Sequence, residues 1–195
     1  MIASLGRGSA FNAIKELMGN DFDPAYSQAR DARLISRSNA AIATTPVDVT
    51  FFTAIGAANG NLPIAGVLGD YYFLCHDVRV VIAEATGCLG KELDVANLGV
   101  NLTLSLALEN RPVIDQEMLG LYLWGPAGRY GVTGTTAVVG SIEPGANGGH
   151  HCLWATTPGQ AITGGLHVLT APVITAATYA WIVLFGWKFM QKSAA

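Results

Sequence analysis

The chain has 195 residues, of which 51% are apolar and 13% charged, with 23 glycines and a formal net charge of −3. So much apolar residue with so little charge excludes a disordered chain. A count of 11 Lys and Arg against 14 Asp and Glu argues against a nucleic-acid binder that works through a basic face.

Residues 1–46 read as an N-terminal helix and an extended arm. In MIASLGRGSAFNAIKELMG, Lys15 and Glu16 interrupt the apolar run of about 7–15 residues that a signal peptide needs, so no leader is expected. Ser9 is a candidate N-cap, and Phe11, Ile14, Leu17 and Met18 recur at helical spacing until Gly19-Asn20 stops the pattern. From Asp21 to Pro46 the chain is polar and reads as irregular, with Arg30, Arg33 and Arg37 offset by Asp21, Asp23 and Asp31.

After Pro46 the period changes to two, and residues 47–195 read as one β-domain. In NLTLSLALE, Leu102, Leu104, Leu106 and Leu108 face one way while Thr103, Ser105 and Ala107 face the other, as in a half-buried antiparallel strand. Tyr71 to Glu84 is long, β-branched and aromatic, and reads as a strand with Asp77 and Arg79 on one face. Val47 to Ala54, Gly120 to Trp124, Thr133 to Ile142, Cys152 to Thr156 and Leu166 to Leu169 are shorter strand candidates. Turn signals stand between them at Asn59-Gly60, Glu109-Asn110-Arg111-Pro112, Gly125-Pro126 and Asn147-Gly148-Gly149. No second helix is expected. The fold class is all-β: an antiparallel β-sandwich or jelly roll behind an N-terminal helix and arm.

The C-terminal segment decides between two architectures. A mean hydropathy of +0.38 requires either a membrane segment or outer surface buried against other subunits. Pro172 and Lys188 bracket 15 residues, whereas a membrane-spanning helix needs about 20. Within the bracket, Tyr179, Trp181, Val183, Phe185 and Trp187 alternate with Ala180, Ile182, Leu184 and Gly186, which predicts a last strand with a large-residue face. A C-terminal membrane anchor over residues 166–190, in a virion or cell-envelope complex, is the alternative.

Little in the sequence points to catalysis. GxSxG, Walker, HExxH and dinucleotide fingerprints are missing. Ser, His and Asp are all present, without a local motif that would join them. The odd cysteine count (Cys75, Cys88, Cys152) and the lack of CxxC argue against a disulfide framework. His150-His151-Cys152 is the one dense run of metal-ligand types, with Cys75, His76 and Asp77 as partners if the fold brought them near. Adjacent strand residues point to opposite faces, so a shared metal is not expected. Asp77 with Arg79 reads as an ordinary surface charge pair. A sugar- or ligand-binding sandwich would depend on whether Trp124 and Tyr130 are exposed. We expect no enzyme, and no catalytic, cofactor-binding or metal residue.

Three stretches carry a resemblance. VDVTFFTAIGAANGNLPIAG enters on a strand and leads through a Gly/Asn loop to Leu62-Pro63, DYYFLCHDVRVVIAEA follows at once, and LTAPVITAATYAWIVLFGWKFMQ closes the chain. In this order they resemble the jelly-roll coat proteins of tailless bacterial viruses that carry an internal membrane. The resemblance covers roughly Val47 to Gln191. Well-known members fuse two jelly rolls, and this chain has room for one eight-stranded roll, like variants that build a shell from separate single barrels. It implies a structural capsid subunit located in the virion. Its partners would be copies of itself, as a trimer or higher assembly, with other capsid proteins and an underlying membrane as further candidates. Direct nucleic-acid binding is not expected.

Overall fold

The computed structural model describes residues 7–42, 47–56, 58–84, 92–109, 111–123, 153–171 and 173–191. Helix α1 (Arg7–Met18) is followed by strands β1 (Gln28–Arg37), β2 (Val49–Phe51) and β3 (Tyr72–Glu84), then helix α2 (Glu92–Asn101). Strands β4 (Leu102–Leu108), β5 (Arg111–Met118), β6 (Trp154–Thr156), β7 (Ile162–Val168) and β8 (Thr178–Met190) complete the order, with 3-10 turns at Gly19–Asp21 and Leu119–Leu121.

The strands form two four-stranded antiparallel sheets, ordered β1-β8-β3-β6 and β2-β7-β4-β5. Strand one pairs with eight, two with seven, three with six and four with five. That is one long hairpin rolled on itself and split between two layers, which is jelly-roll connectivity. The expected all-β sandwich behind an N-terminal helix is therefore the fold.

Alternation explains why the sheets face each other. Leu102, Leu104, Leu106 and Leu108 of β4 are all buried, as are Ile162 and Leu166 of β7, Val78, Val80 and Ile82 of β3, and Ala180, Ile182 and Leu184 of β8. All of these belong to one continuous core between the layers. A second cluster lies outside the first sheet. There α1 sets Ala10 and Ile14, with Phe22 and Tyr26 behind it, against Ala29, Tyr72, Leu74 and Phe189. The rings of Phe11 and Phe189 meet edge to face at 5.0 Å, and those of Phe22 and Tyr72 at 5.1 Å.

The connections gather at the two ends of the roll. At one end the Gly159 N–H donates to Gly69 O, Ile162 N–H to Gly66 O, and Glu109 N–H to Ala161 O. At the other, Ile42 and Thr178 exchange backbone hydrogen bonds, and Leu169 N–H donates to Asn101 O. Asp94 of α2, 1% exposed, pins that end: its Oδ2 accepts from the Thr175 N–H at 2.9 Å and the Thr175 hydroxyl at 2.8 Å.

Four local expectations change. Gln28–Arg37, read as irregular, is a strand paired to β8 over its whole length. It lies at the sheet edge, where one partner suffices and charged side chains are tolerated. Glu92–Asn101 is a second helix, despite Gly99 and two asparagines of poor propensity. Burial of Val95, Ala96 and Leu98 against the roll overrides that preference. Gly120 and Leu121, which open the strand candidate Gly120 to Trp124, belong to a 3-10 turn, Leu119–Leu121. Ser9 falls inside α1 and so does not cap it, whereas Gly19 does end the helix, at φ 55°. The strand candidate Thr133 to Ile142 lies outside the described residues.

The C-terminal expectation holds as a strand. Residues 178–190 are β8, which is central in its sheet, and 166–168 belong to β7. Among the described residues no helix is long and apolar enough to cross a membrane.

Candidate functional site

The two outer faces of the sandwich present side chains that the core does not use. On the first sheet, cross-strand register places Arg33, Ile35 and Arg37 of β1 beside Phe185, Val183 and Trp181 of β8. On the other side of β8, Asp77, Arg79, Val81 and Ala83 of β3 pair with Phe185, Val183, Trp181 and Tyr179. Helix α1 covers the Phe189 end of this face. Tyr179, Trp181 and Phe185 remain half-buried.

Cations organise this row. Arg33 and Arg79 approach the Phe185 ring at 5.2 and 5.3 Å, and Arg37 lies 4.5 Å from Tyr179 and 5.9 Å from Trp181. Two of these guanidinium groups are held: Arg79 Nε donates to Asp77 Oδ2 at 2.7 Å, and Arg37 Nη2 to Asn59 Oδ1 at 2.8 Å. The pair Asp77–Arg79 is thus part of an aromatic platform. Its side chains are only 22% and 15% exposed on the arginine and aspartate sides.

The outer face of the second sheet is small and polar. Register sets Thr103 beside His167, and Thr50 and Ser105 on either side of Gly165, while Asp48, just before β2, meets His167 through its side chain. The His167 imidazole bridges the two rows. Its Nε2 lies 2.8 Å from Ser105 Oγ and its Nδ1 3.0 Å from Asp48 Oδ2. The other oxygen of Asp48 accepts the Val168 N–H at 2.9 Å. That backbone bond first, and His167 second, hold the Asp48 carboxyl below its ordinary pKa. Gly165 is the seat of the ring: a Cβ there would lie 2.9 Å from Val49 O and 3.9 Å from the imidazole.

A shallow depression of about 520 Å³ opens where β8 ends, lined by Asn61, Pro63, Asp70, Tyr71, Lys188 and Gln191. Lys188 Nζ sits 3.9 Å from the centre of the Tyr71 ring. Burial, with Arg30 nearby, lowers the Lys188 pKa, and burial raises that of Tyr71.

The run His150-His151-Cys152, and Trp124 and Tyr130, lie outside the described residues. Cys75 is buried in the inter-sheet core, with Sγ 3.5 Å from Asp77 O. His76 occupies the bulge between Cys75 and Asp77. Among the described residues no three His, Cys, Asp or Glu side chains are grouped to hold a metal. Sequence reasoning placed Ser105 correctly on the face opposite the leucines, but could not pair it with residues 57 before and 62 after it. The strand register makes that assembly, and a single sequence does not display register.

Compared with protein-family models, curated proteins and solved structures, this chain matches none.

Proposed function

We propose that this chain is a structural subunit of a viral capsid shell, held in place by contacts with copies of itself. The observation that carries the reading is the aromatic–arginine row on the outer face of the β1-β8-β3-β6 sheet. Tyr179, Trp181 and Phe185 with Arg33, Arg37 and Arg79 have the composition that protein interfaces favour, aromatic and arginine together. The rings are only half-buried within the chain, so a neighbouring copy would cover their remaining apolar surface. The rolled double sheet agrees by analogy, since viral capsid domains are among its common hosts.

The test is the particle mass of the purified chain by light scattering, with negative-stain microscopy. Trimers or uniform shells support the reading, and a 20.4 kDa monomer at every concentration overturns it. Trp181→Asp with Phe185→Asp should shift the assembled population to monomer while leaving a β-type circular dichroism spectrum. Unchanged assembly in that double variant would move the interface elsewhere.

A further inference from the structure

We infer that Ser105, His167 and Asp48 form a nucleophilic triad that transfers small acyl groups from carboxylic esters to water. This goes beyond the assembly reading and is independent of it, because the residues lie on the opposite outer face of the sandwich.

The geometry is that of a serine nucleophile with its base and the base's anchor. Asp48 Oδ2 takes the Nδ1–H of His167 at 3.0 Å, which leaves the Nε2 lone pair facing the Ser105 hydroxyl at 2.8 Å. The anchor is itself fixed, since Asp48 Oδ1 is tied to the Val168 N–H at 2.9 Å. Each hydrogen bond thus points one way along the row, from Ser105 to His167 to Asp48.

Two further features mark the position of Ser105. The β4–β5 pairing breaks beside it: Leu104 faces Glu117 and Leu106 faces Ile114, so Asp115 and Gln116 form a bulge opposite Ser105. Gln116 there has φ 49°, a left-handed conformation that a non-glycine residue adopts only under constraint. Such bulges collect beside active sites. In the same row, Thr103 is buried and its hydroxyl has no hydrogen-bond partner.

The surroundings set the substrate class. Gly165 lies across from Ser105, with Thr50 beyond it and Ala107 two residues along β4. These short side chains leave the part-buried hydroxyl few large neighbours across the strand, which suits a small acyl ester and gives little selection of the alcohol.

In the first step Ser105 Oγ bonds to the ester carbonyl carbon and its proton passes to His167 Nε2. The tetrahedral adduct collapses, the bond to the leaving oxygen breaks, and the alcohol departs with the proton from Nε2. A water then repeats the sequence on the acyl-serine and releases the carboxylic acid. Ser105 and His167 are the catalytic residues, and Asp48 is a positioning residue.

The experiment uses the full chain, with a fluorophosphonate probe read by peptide mass spectrometry and p-nitrophenyl acetate as substrate. We expect the label on Ser105, none at that site in Ser105→Ala, and full labelling in the exposed-serine control Ser27→Ala. His167→Gln should slow both reactions by about 100-fold or more. Asp48→Asn should lower kcat with KM unchanged, and Asp48→Glu should recover part of the loss, which a purely structural role would not produce. None of these positions lies in the inter-sheet core, so melting temperatures should fall only slightly and separate lost chemistry from lost fold. Absence of label on wild-type Ser105, or equal labelling in His167→Gln, overturns the inference.

Discussion

The two sheets of the roll are built alike on their inner faces and unlike on their outer ones. Inward, both present aliphatic side chains at every second position, and the two sets merge into one core. Outward, β8 and its neighbours carry Tyr179, Trp181, Phe185 and three arginines, whereas β7 and its neighbours carry Asp48, Thr50, Ser105, Thr163 and His167. The inner pattern is what folding requires. The outer pattern is free of that requirement, so the difference between the faces is where function is to be sought.

The largest break in this comparison should come from the glycine at the middle of each sheet. A Cβ at Gly186 would collide with the carbonyl oxygen of Leu74, a backbone atom on the paired strand that cannot move alone. We expect Gly186→Ala to abolish soluble folded protein. Gly165→Ala meets Val49 O at 2.9 Å, a contact that a small strand shift relieves, so that variant should fold with a lowered melting temperature. Soluble yield and thermal melts of the pair give the answer. Equal behaviour would mean that β8 is not clamped more tightly than β7.

Next come the two ends of the β8 aromatic row. Phe189 is fully buried under α1, while Phe185 is half-buried and open to solvent on the same face. Phe189→Ala should cost about 3–5 kcal/mol, the usual range for a truncated core aromatic. Phe185→Ala should cost clearly less in the isolated chain and show its main effect on assembly. Denaturant midpoints at constant slope separate the two. A similar loss at both would show that Phe185 already has a full apolar partner within the chain.

Within one strand the contrast is sharper still. Leu104 is fully buried and Ser105, its neighbour, faces out. Leu104→Ala should cost about 2–5 kcal/mol, and Ser105→Ala should stay within about 0.5 kcal/mol of wild type. A large loss at Ser105 would mean that its bond to His167 holds the sheet and not only the side chain.

How far this was legible in the sequence depends on what each strand buries. The leucines of β4 and the alternation of β8 announce their strands because one face of each is packed against a core. β1 stayed hidden: QARDARLISR has Leu34 on the inner row, but Arg30 and Ser36 share that row, and its outer row carries Asp31, Arg33 and Arg37. As an edge strand it needs no full apolar stripe, so no period of two shows. Helix α2 was hidden because its sequence is a poor isolated helix, stabilised by the end of the roll on which Leu98 and Val95 pack. The aromatic row was readable as a large-residue face of β8, while Arg33 and Arg37 were assigned to the arm and Arg79 to a surface charge pair with Asp77. The Ser105–His167–Asp48 row was not readable at all, since three distant segments meet only through two strand registers.

The smallest expected effect is a pH dependence confined to the second face. The Val168 N–H, and after it His167, hold the Asp48 carboxyl below its reference value of 3.8. A carboxyl with a folded-state pKa below its unfolded one adds stability that is present above the unfolded value and is lost as pH falls through the folded one. Asp48→Asn should therefore lower the melting temperature slightly at neutral pH, and the gap to wild type should close as the pH falls below the reference value of 3.8. The side chain of Asp48 is 60% exposed, so solvent screening keeps the gap small, and added salt should shrink the part due to charge. Melts of wild type and Asp48→Asn across the acid range decide the point. A gap that persists unchanged in acid would mean that the asparagine disrupts the Val168 contact by shape and that the ionisation of Asp48 contributes nothing.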